Sequence, residues 1–430
     1  MFSFFNLKKK NYLLSFVFSL FFFFWSQQIV NFDIRQILLL LIPFTIFYKD
    51  EFKQFKKRLI LFSIINIFII IHLVINNINN KIPINNIFNP ILGLIISSII
   101  IIFYRDFIIK NIKNIIGIFL IIILAGFLWE VFYNENYFFK KNFDCLHGWY
   151  SRDLQFKFFS ENSHFGMSCA AIILFLSYKI KINNRYNIFF LLLIIFLFLF
   201  LSTTLLIGIM VSTSLILAFN YKILSKYNKI ISIILILITV IMIGSKKQCS
   251  VRFLQTIEGG FNAIKYFLYN QKINQTPWKA DEDQKDIVHK SLNISSAVLL
   301  NSYTVAFKSL RDHPFGLGLN NYYIGHAIYT DKTIKNEYFN KLYWEHLNEK
   351  DGSNNLSKML TEFGVFSFII FFLIFKFLKL KNINLPEKSF IFSIVITQLI
   401  RGAGYFNGSF LLCLLLIMSL TLLKVKNEQK

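Results

Sequence analysis

Lys229–Lys247 reads KIISIILILITVIMIGSKK, an apolar run that is closed at both ends by lysine. A membrane-spanning helix needs about 20 predominantly apolar residues. Charged side chains are confined to the ends of such a helix, because a charge in lipid is costly. The same alternation of apolar runs and charged connectors fills most of the 430-residue chain, which is 55% hydrophobic. The sequence therefore predicts an all-α polytopic membrane protein.

Apolar runs of membrane-helix length recur along the whole chain. We expect the first to be retained as a helix, since no small-x-small cleavage site follows it. We count about twelve candidate helices by length and hydropathy; they lie at 12–31, 34–48, 59–76, 89–104, 114–133, 164–179, 187–202, 204–220, 229–245, 355–377, 388–401 and 408–424.

Lysine and arginine concentrate in every second connector, for example KILSKYNK and KFLKLKNINLPEK. The positive-inside rule places these connectors and both termini in the cytoplasm. The formal net charge of +23 is thereby explained by membrane topology, so nucleic acid is not an expected partner. The predicted organisation is helices 1–9 in 1–245 with a medium outer loop near 134–163, a large outer loop in 246–354, and helices 10–12 in 355–430.

The large outer loop contains the stretch SLRDHPFGLGLNNYY, Ser309–Tyr323. Arg311 can bind phosphate oxygens in a bidentate way, and His313 can exchange a proton. Gly316 and Gly318 allow the backbone to approach a ligand closely. The alternative is an ordinary loop turn.

Four further outer stretches combine charged or polar side chains with a helix start or a glycine-rich turn. Helix capping and interfacial anchoring are the alternatives for each. The stretches are SRDLQFKFFSENSHFGM with Arg152, Glu161 and His164; KKQCSVRF with Arg252; DGSNNLSKMLTEFGVFSF with Asp351, Ser353, Asn354 and Glu362; and QLIRGAGYFNGSF with Arg401. A carboxylate as deep as Glu362 needs a partner.

These side chains indicate recognition of a membrane-embedded phosphate or pyrophosphate. Arginines would stabilise charge on a leaving pyrophosphate, and a carboxylate or histidine would take a proton from a hydroxyl. No phosphate-binding P-loop and no metal-ligand spacing occur, so we expect neither direct use of ATP nor a metal or other cofactor. For Cys145 and Cys249, both on the outer side, a disulfide and two free thiols remain open.

Four stretches together resemble the O-antigen polymerase and O-antigen ligase family of bacterial envelope glycosyltransferases. RDHPFGLGLNNY is similar to that family's R-x-x-P-x-x-G-x-G segment. SNNLSKMLTEFGVFSF resembles its H-N-x-x-L-x-x-L-x-E-x-G-x-x-G segment. FKFFSENSHFGM and the hairpin LSTTLLIGIMV resemble two shorter segments. Ser353 stands where the ligases have histidine, and IRGAGYFNG is closer to the polymerases, which favours a polymerase.

The resemblance implies a GT-C-like fold in the bacterial inner membrane. It implies a metal-independent inverting glycosyltransferase that acts on undecaprenyl-pyrophosphate-linked oligosaccharide at the periplasmic face. By matched positions, Arg311 would bind pyrophosphate, with Arg152, Arg252 and Arg401 as further candidates. Glu161, His164, Asp351 and His313 are candidate catalytic residues, and Gly316, Gly318, Ser353, Asn354 and Glu362 would support the site.

The resemblance also implies a chain-length regulator protein as a partner. Two other functions remain open. An O-antigen ligase would transfer the glycan to lipid A–core. A transporter of lipid-linked sugars would be expected to show internal repeats, and we find none in the sequence.

Overall fold

A computed structural model describes most of the helical part of the chain. The described residues are 11–20, 22, 28–29, 32–33, 52–80, 88–133, 162–180, 187–198, 202–245, 294–330, 348–402, 404–405 and 410–423.

The described residues are almost entirely helical. The first helix is α1 (Asn11–Leu20). A two-residue antiparallel pair follows, β1 (Gln28–Ile29) with β2 (Phe32–Asp33). The remaining helices are α2 (Phe52–Asn80), α3 (Phe88–Tyr133), α4 (Asn162–Lys179), α5 (Asn187–Phe198), α6 (Thr203–Asn220), α7 (Lys226–Ser245), α8 (Ile294–Asp312), α9 (Tyr322–Tyr329), α10 (Asn355–Phe363), α11 (Ser367–Leu378), α12 (Leu385–Arg401) and α13 (Phe410–Leu422). A 3-10 turn, Gly364–Phe366, joins α10 to α11.

Within the described residues, 5 helical stretches are long and apolar enough to cross a membrane. They are Phe55–Asn76, Ile91–Ala125, Thr203–Asn220, Lys226–Gly244 and Asn355–Leu378. Large apolar side chains on α2 and α7 face outward, such as Ile71 and Ile241. Exposed apolar surface of this extent suits a helix whose outer face meets lipid. The chain is thus a helical membrane protein, and the number of its crossings stays a prediction.

Helix α12 lies at the centre of the bundle, packed against α4 and α6. A Cβ added at Gly208 of α6 would lie only 2.4 Å from Cγ2 of Thr397 on α12. One turn further on, the hydroxyls of Ser212 and Ser393 are 3.5 Å apart. Small residues let helix backbones approach closely, which is how helices associate when lipid removes the hydrophobic driving force.

These contacts also give the helix directions. Along α6, positions 208 and 212 meet 397 and 393 of α12, so the two helices run antiparallel. Gly166 of α4 lies beside Ser202 at the start of α6, so α4 and α6 run parallel. These relative directions agree with the alternation predicted from the sequence.

The predicted break between helices 89–104 and 114–133 is wrong. Residues 88–133 form one continuous helix. The basic connector between them contains neither glycine nor proline, so nothing in the backbone stops the helix. Its charged side chains instead form ion pairs with neighbouring helices. Asp106 pairs with Arg58 of α2, and Lys113 pairs with Glu387 of α12 at 3.7 Å.

Two other predicted helices differ in their bounds. The first does not extend over 12–31, because residues 28–29 are in strand β1. The helix at 355–377 is interrupted at Gly364, whose φ of 54° is incompatible with a regular helix. The helix predicted at 34–48 lies outside the described residues, as do Cys145 and Cys249. Helices α8 and α9 lie within the predicted large outer loop.

Candidate functional site

The site is built around contacts between the loop 313–318 and the end of α10. The Leu317 amide donates to the Thr361 carbonyl at 3.0 Å, and the Gly318 amide donates to the Glu362 carbonyl at 2.9 Å. In return, the Val365 amide donates to the Pro314 carbonyl at 2.8 Å. The last carbonyls of a helix lack partners within it. The two stretches that carry most of the family resemblance therefore complete each other's hydrogen bonding.

Glycine is required on both sides of this junction. Gly316 has φ 84°, and a Cβ there would lie 2.3 Å from the Glu362 carbonyl oxygen. Gly364 has φ 54°, and its Cβ would lie 2.0 Å from the Pro314 carbonyl oxygen. Both obstacles are backbone atoms, which cannot move aside as a flexible side chain can. The glycine spacing in the two stretches thus serves close backbone packing.

The start of α10 is fixed to α8. The Asn354 side chain caps α10 by accepting from the Ser357 amide at 2.8 Å, and its amide nitrogen donates to the Ser302 hydroxyl at 2.8 Å. Ser353 precedes it with φ 54° and is buried. Together with the 313–318 junction, this cap ties α8 and α10 to each other at both ends of α10.

One face of α10 forms a polar seam of Asn355, Lys358 and Glu362. Positions separated by three and by seven residues share a helix face. The Lys358 amine lies 2.9 Å from the Glu362 carboxylate, and both side chains are buried. The same amine donates to the Lys350 carbonyl at 2.6 Å, and Glu362 accepts from the Tyr322 amide at 3.2 Å. Lys358 is therefore the partner that we expected for the buried Glu362 carboxylate.

The segment 398–405 faces this seam. A Cβ at Gly402 would lie 2.6 Å from the Asn355 amide nitrogen, so glycine leaves room for that side chain. The Lys358 amine lies 5.5 Å from the centre of the Tyr405 ring. Burial raises the pKa of Tyr405 well above its ordinary value, and the Glu362 charge raises it further.

Several polar groups along the seam have no hydrogen-bond partner within the described part of the chain. They are both amide atoms of Asn355 and the side-chain oxygens of Ser353 and Gln398. Buried polar groups in folded proteins are nearly always satisfied, by protein or by ordered water. Open donors and acceptors therefore accumulate along the seam, close to the two motif stretches.

Arg401 and Asp351 are brought to the same end of the bundle. Burial raises the pKa of Tyr303 on α8 to about 12, and the nearby Arg401 charge opposes that rise. The Asp351 carboxylate lies 3.2 Å from the Cβ position of Gly404. The turn after α12 therefore joins α8 and the residues before α10, as the common outer location predicted.

Arg311, Asp312 and His313 form the exposed tip of the assembly. The Arg311 guanidinium donates to the Asp312 carboxylate at 2.8 and 3.4 Å, and 55% of the Arg311 side chain is exposed. The hydrogen bond from Arg311 lowers the pKa of Asp312 below its ordinary value. The His313 ring lies 6.4 Å from the Tyr329 ring. A guanidinium carries five N–H donors in all, so the carboxylate of Asp312 does not by itself occupy every one of them.

The remaining candidates cannot be placed as side chains. Arg152, Glu161 and Arg252 lie outside the described residues. His164 lies in the first turn of α4, as the helix-start prediction required, but only its backbone is described. Among the described side chains, no group of three His, Cys, Asp or Glu could hold a metal ion.

Sequence reasoning missed Lys358, Tyr322, Tyr405 and His72. A signal existed for Lys358, since a lysine four residues before Glu362 on a predicted helix indicates an ion pair. The contacts of the other three join segments far apart in the chain, and no spacing rule reveals them. No protein-family model, curated protein or solved structure matches the chain.

Proposed function

We propose that the chain is an inner-membrane glycosyltransferase that polymerises undecaprenyl-pyrophosphate-linked O-antigen repeat units at the periplasmic face. One observation carries the proposal. The stretches 311–318, 351–366 and 401–405, which carry the resemblance, pack together at one end of the helix bundle.

The proposed reaction is an inverting transfer that uses no metal. A sugar hydroxyl of one lipid-linked unit attacks the anomeric carbon of another, whose bond to the pyrophosphate oxygen breaks. The hydroxyl proton passes to a base, for which Asp351, His313, Glu161 and His164 are the candidates. Undecaprenyl pyrophosphate leaves with the negative charge, which Arg311 and Arg401 would stabilise, helped by Arg152 and Arg252.

The charge distribution supports a periplasmic position for this end. Lys388 and Arg58 lie near the ends of helices α12 and α2 that point away from the motif stretches. At that end of α12, the connector 379–388 carries several lysines. By the positive-inside rule that end would face the cytoplasm, which leaves the motif stretches outside.

Ser353 favours a polymerase over a ligase. It occupies the position where the ligases have histidine. The Ser353 side chain is buried, and its backbone φ of 54° lies in the left-handed region. A serine hydroxyl cannot replace an imidazole as a proton acceptor near neutral pH. A ligase would therefore need a different base.

The test is a lipopolysaccharide gel of a strain lacking the gene, complemented with wild type, Arg311→Ala or Arg311→Lys. Lysine keeps the charge but loses the bidentate fork, so we expect it to restore little. Lys222→Ala, an exposed lysine far from the motif stretches, is the matched control.

A single repeat unit on the core without a ladder supports a polymerase. Bare core with accumulating lipid-linked polymer indicates a ligase. An unchanged ladder in the deletion strain removes both and returns the transporter to consideration.

A further inference from the structure

Helix α2 also contacts the loop 313–318. His72 on α2 is buried, and its Nε2 atom lies 2.7 Å from the Phe315 carbonyl oxygen. One turn later, Asn76 packs against the loop, since a Cβ on Gly318 would lie 3.1 Å from the Cβ of Asn76. The loop thus contacts two helices, α2 and α10, that are far apart in the sequence.

The hydrogen bond defines the tautomer of His72. A carbonyl oxygen only accepts, so Nε2 must carry the hydrogen. The other ring nitrogen, Nδ1, is buried and has no partner among the described residues.

Three phenylalanine rings surround the imidazole and hold its orientation. Phe363 and Phe68 stack on it, with ring centres 5.7 and 6.1 Å away. Phe366 meets it edge-on at 6.0 Å. Phe363 ends α10 and Phe366 lies in the 3-10 turn, so the same imidazole contacts the loop and the broken helix that the loop completes.

We propose that His72 is a positioning residue of the site: its Nε2–H sets the Phe315 carbonyl and thereby the loop that carries His313 and follows Arg311 at the end of α8. It acts through the loop rather than on substrate. The consequence for glycan transfer rests on the proposed function, whereas the anchoring of the loop does not.

The first measurement is hydrogen exchange of the purified full chain in nanodiscs. His72→Phe keeps an aromatic ring but removes the donor, and we expect the Leu317 and Gly318 amides to exchange about tenfold faster, the effect of losing one hydrogen bond. His72→Gln should restore most of the protection, because the glutamine amide can donate to the same carbonyl. Asn66→Leu is the matched control, since Asn66 lies on the same helix and bonds Ser98 instead. Equal exchange in wild type and His72→Phe would overturn the proposal.

A second measurement observes the wild-type imidazole directly. Nitrogen NMR of the chain labelled with ¹⁵N-histidine should contain an Nε2–H signal that is protected from exchange with water. That signal should disappear in His72→Phe, which assigns it. A His72 ring with no hydrogen on Nε2 would contradict the proposal.

The glycan ladder then separates this inference from the proposed function. If His72→Phe loosens the loop and shortens the ladder, and His72→Gln restores both, His72 positions a glycosyltransferase site. If the loop loosens but the gene never affects a ladder, the anchoring stands and the proposed function fails. If His72→Phe shortens the ladder without loosening the loop, the positioning role is wrong.

Discussion

The two ends of the helix bundle differ in which buried polar groups lack partners. At the end that carries Arg58 and Lys388, both cations reach acceptors: Arg58 binds Asp106 and the Ile102 carbonyl, and Lys388 binds the carbonyls of Leu378 and Leu380. One carboxylate oxygen of Glu387 has no partner there among the described residues. At the end that carries the motif stretches, Lys358 is bonded as well, but both amide atoms of Asn355 and the side-chain oxygen of Gln398 are buried with no partner in the described part of the chain.

This difference separates two uses of polar side chains. The cations at the first end close helix termini and hold helices together, which is a structural role. At the motif end, Asn354 and the 313–318 junction hold the backbone in place by hydrogen bonds. Several buried side chains beside them nevertheless have no hydrogen-bond partner among the described residues. A region that is rigid in its backbone and unsatisfied in its side chains is typical of a binding or reaction site.

The largest expected effect comes from Lys358→Met, which would leave the fully buried Glu362 carboxylate without its cation. We expect a loss of about 3–5 kcal/mol in the free energy of unfolding. Arg58→Met is the comparison at the other end, where Asp106 is 25% exposed and can be solvated, and there we expect about 2 kcal/mol. Unfolding by SDS titration in mixed micelles measures both. Equal losses would show that the motif end is no more sensitive than the basic end.

The next effect tests the junction of the two motif stretches. Gly364→Ala places a methyl group on the Pro314 carbonyl and forces alanine into left-handed geometry, at about 3 kcal/mol. In Gly117→Ala, on helix α3, nothing lies within 4 Å of the new Cβ, so the better helix former should stabilise by up to about 1 kcal/mol. Thermal unfolding of the purified variants should shift in opposite directions. A shift in the same direction would contradict the packing at residue 364.

A smaller effect compares two helix caps. Asn354→Ala removes the cap of α10 and the hydrogen bond to Ser302, and should cost about 2 kcal/mol. Ser202→Ala removes only the cap of α6, whose hydroxyl accepts from the Leu205 amide at 3.1 Å, and should cost about 1 kcal/mol. The double mutant Asn354→Ala/Ser302→Ala isolates the interhelical bond. Should the two caps cost the same, the Ser302 contact contributes nothing.

The smallest effect on stability is expected at Arg311. Its pair with Asp312 is exposed, so Arg311→Ala should change the free energy of unfolding by less than about 0.5 kcal/mol at neutral pH. The folded-state pKa of Asp312 is lowered, so the pair stabilises above the unfolded pKa, and this contribution is lost as pH falls through the folded pKa. Unfolding curves at neutral and acidic pH measure it. A large loss at neutral pH would make Arg311 a structural residue and remove it as the proposed anion-binding group.

Local pattern was enough to predict most helices. The runs near 204–220, 229–245 and 388–401 correspond to α6, α7 and α12 within a few residues, because hydropathy and flanking lysines act over short distances. The same logic failed at residues 105–114. Hydropathy treats a charged stretch as a connector, but these charges pair with Arg58 and Glu387 from other helices.

The candidate site was predictable in part. Glycine spacing identified 316 and 318, and the polar start of α10 identified Asn354, since these signals lie in the backbone chemistry of one segment. Lys358 was readable from its distance to Glu362 but was passed over. His72 could not be found, because its partner lies 243 positions away and the surrounding sequence is an ordinary apolar run.

The break at Gly364 has a consequence for how the protein assembles. The final carbonyls of α10 accept hydrogen bonds from the amides of residues 317 and 318. These two residues are synthesised before α10, so the bonds cannot form until α10 has been made. Contacts of such long sequence separation form late, because a large loop must close before they contribute. The loop therefore acquires its shape only after residues 355–378 have been inserted. A ribosome-bound chain that stops before residue 355 carries every residue of the RDHPFGLG stretch but lacks the contacts with α10 that complete its geometry.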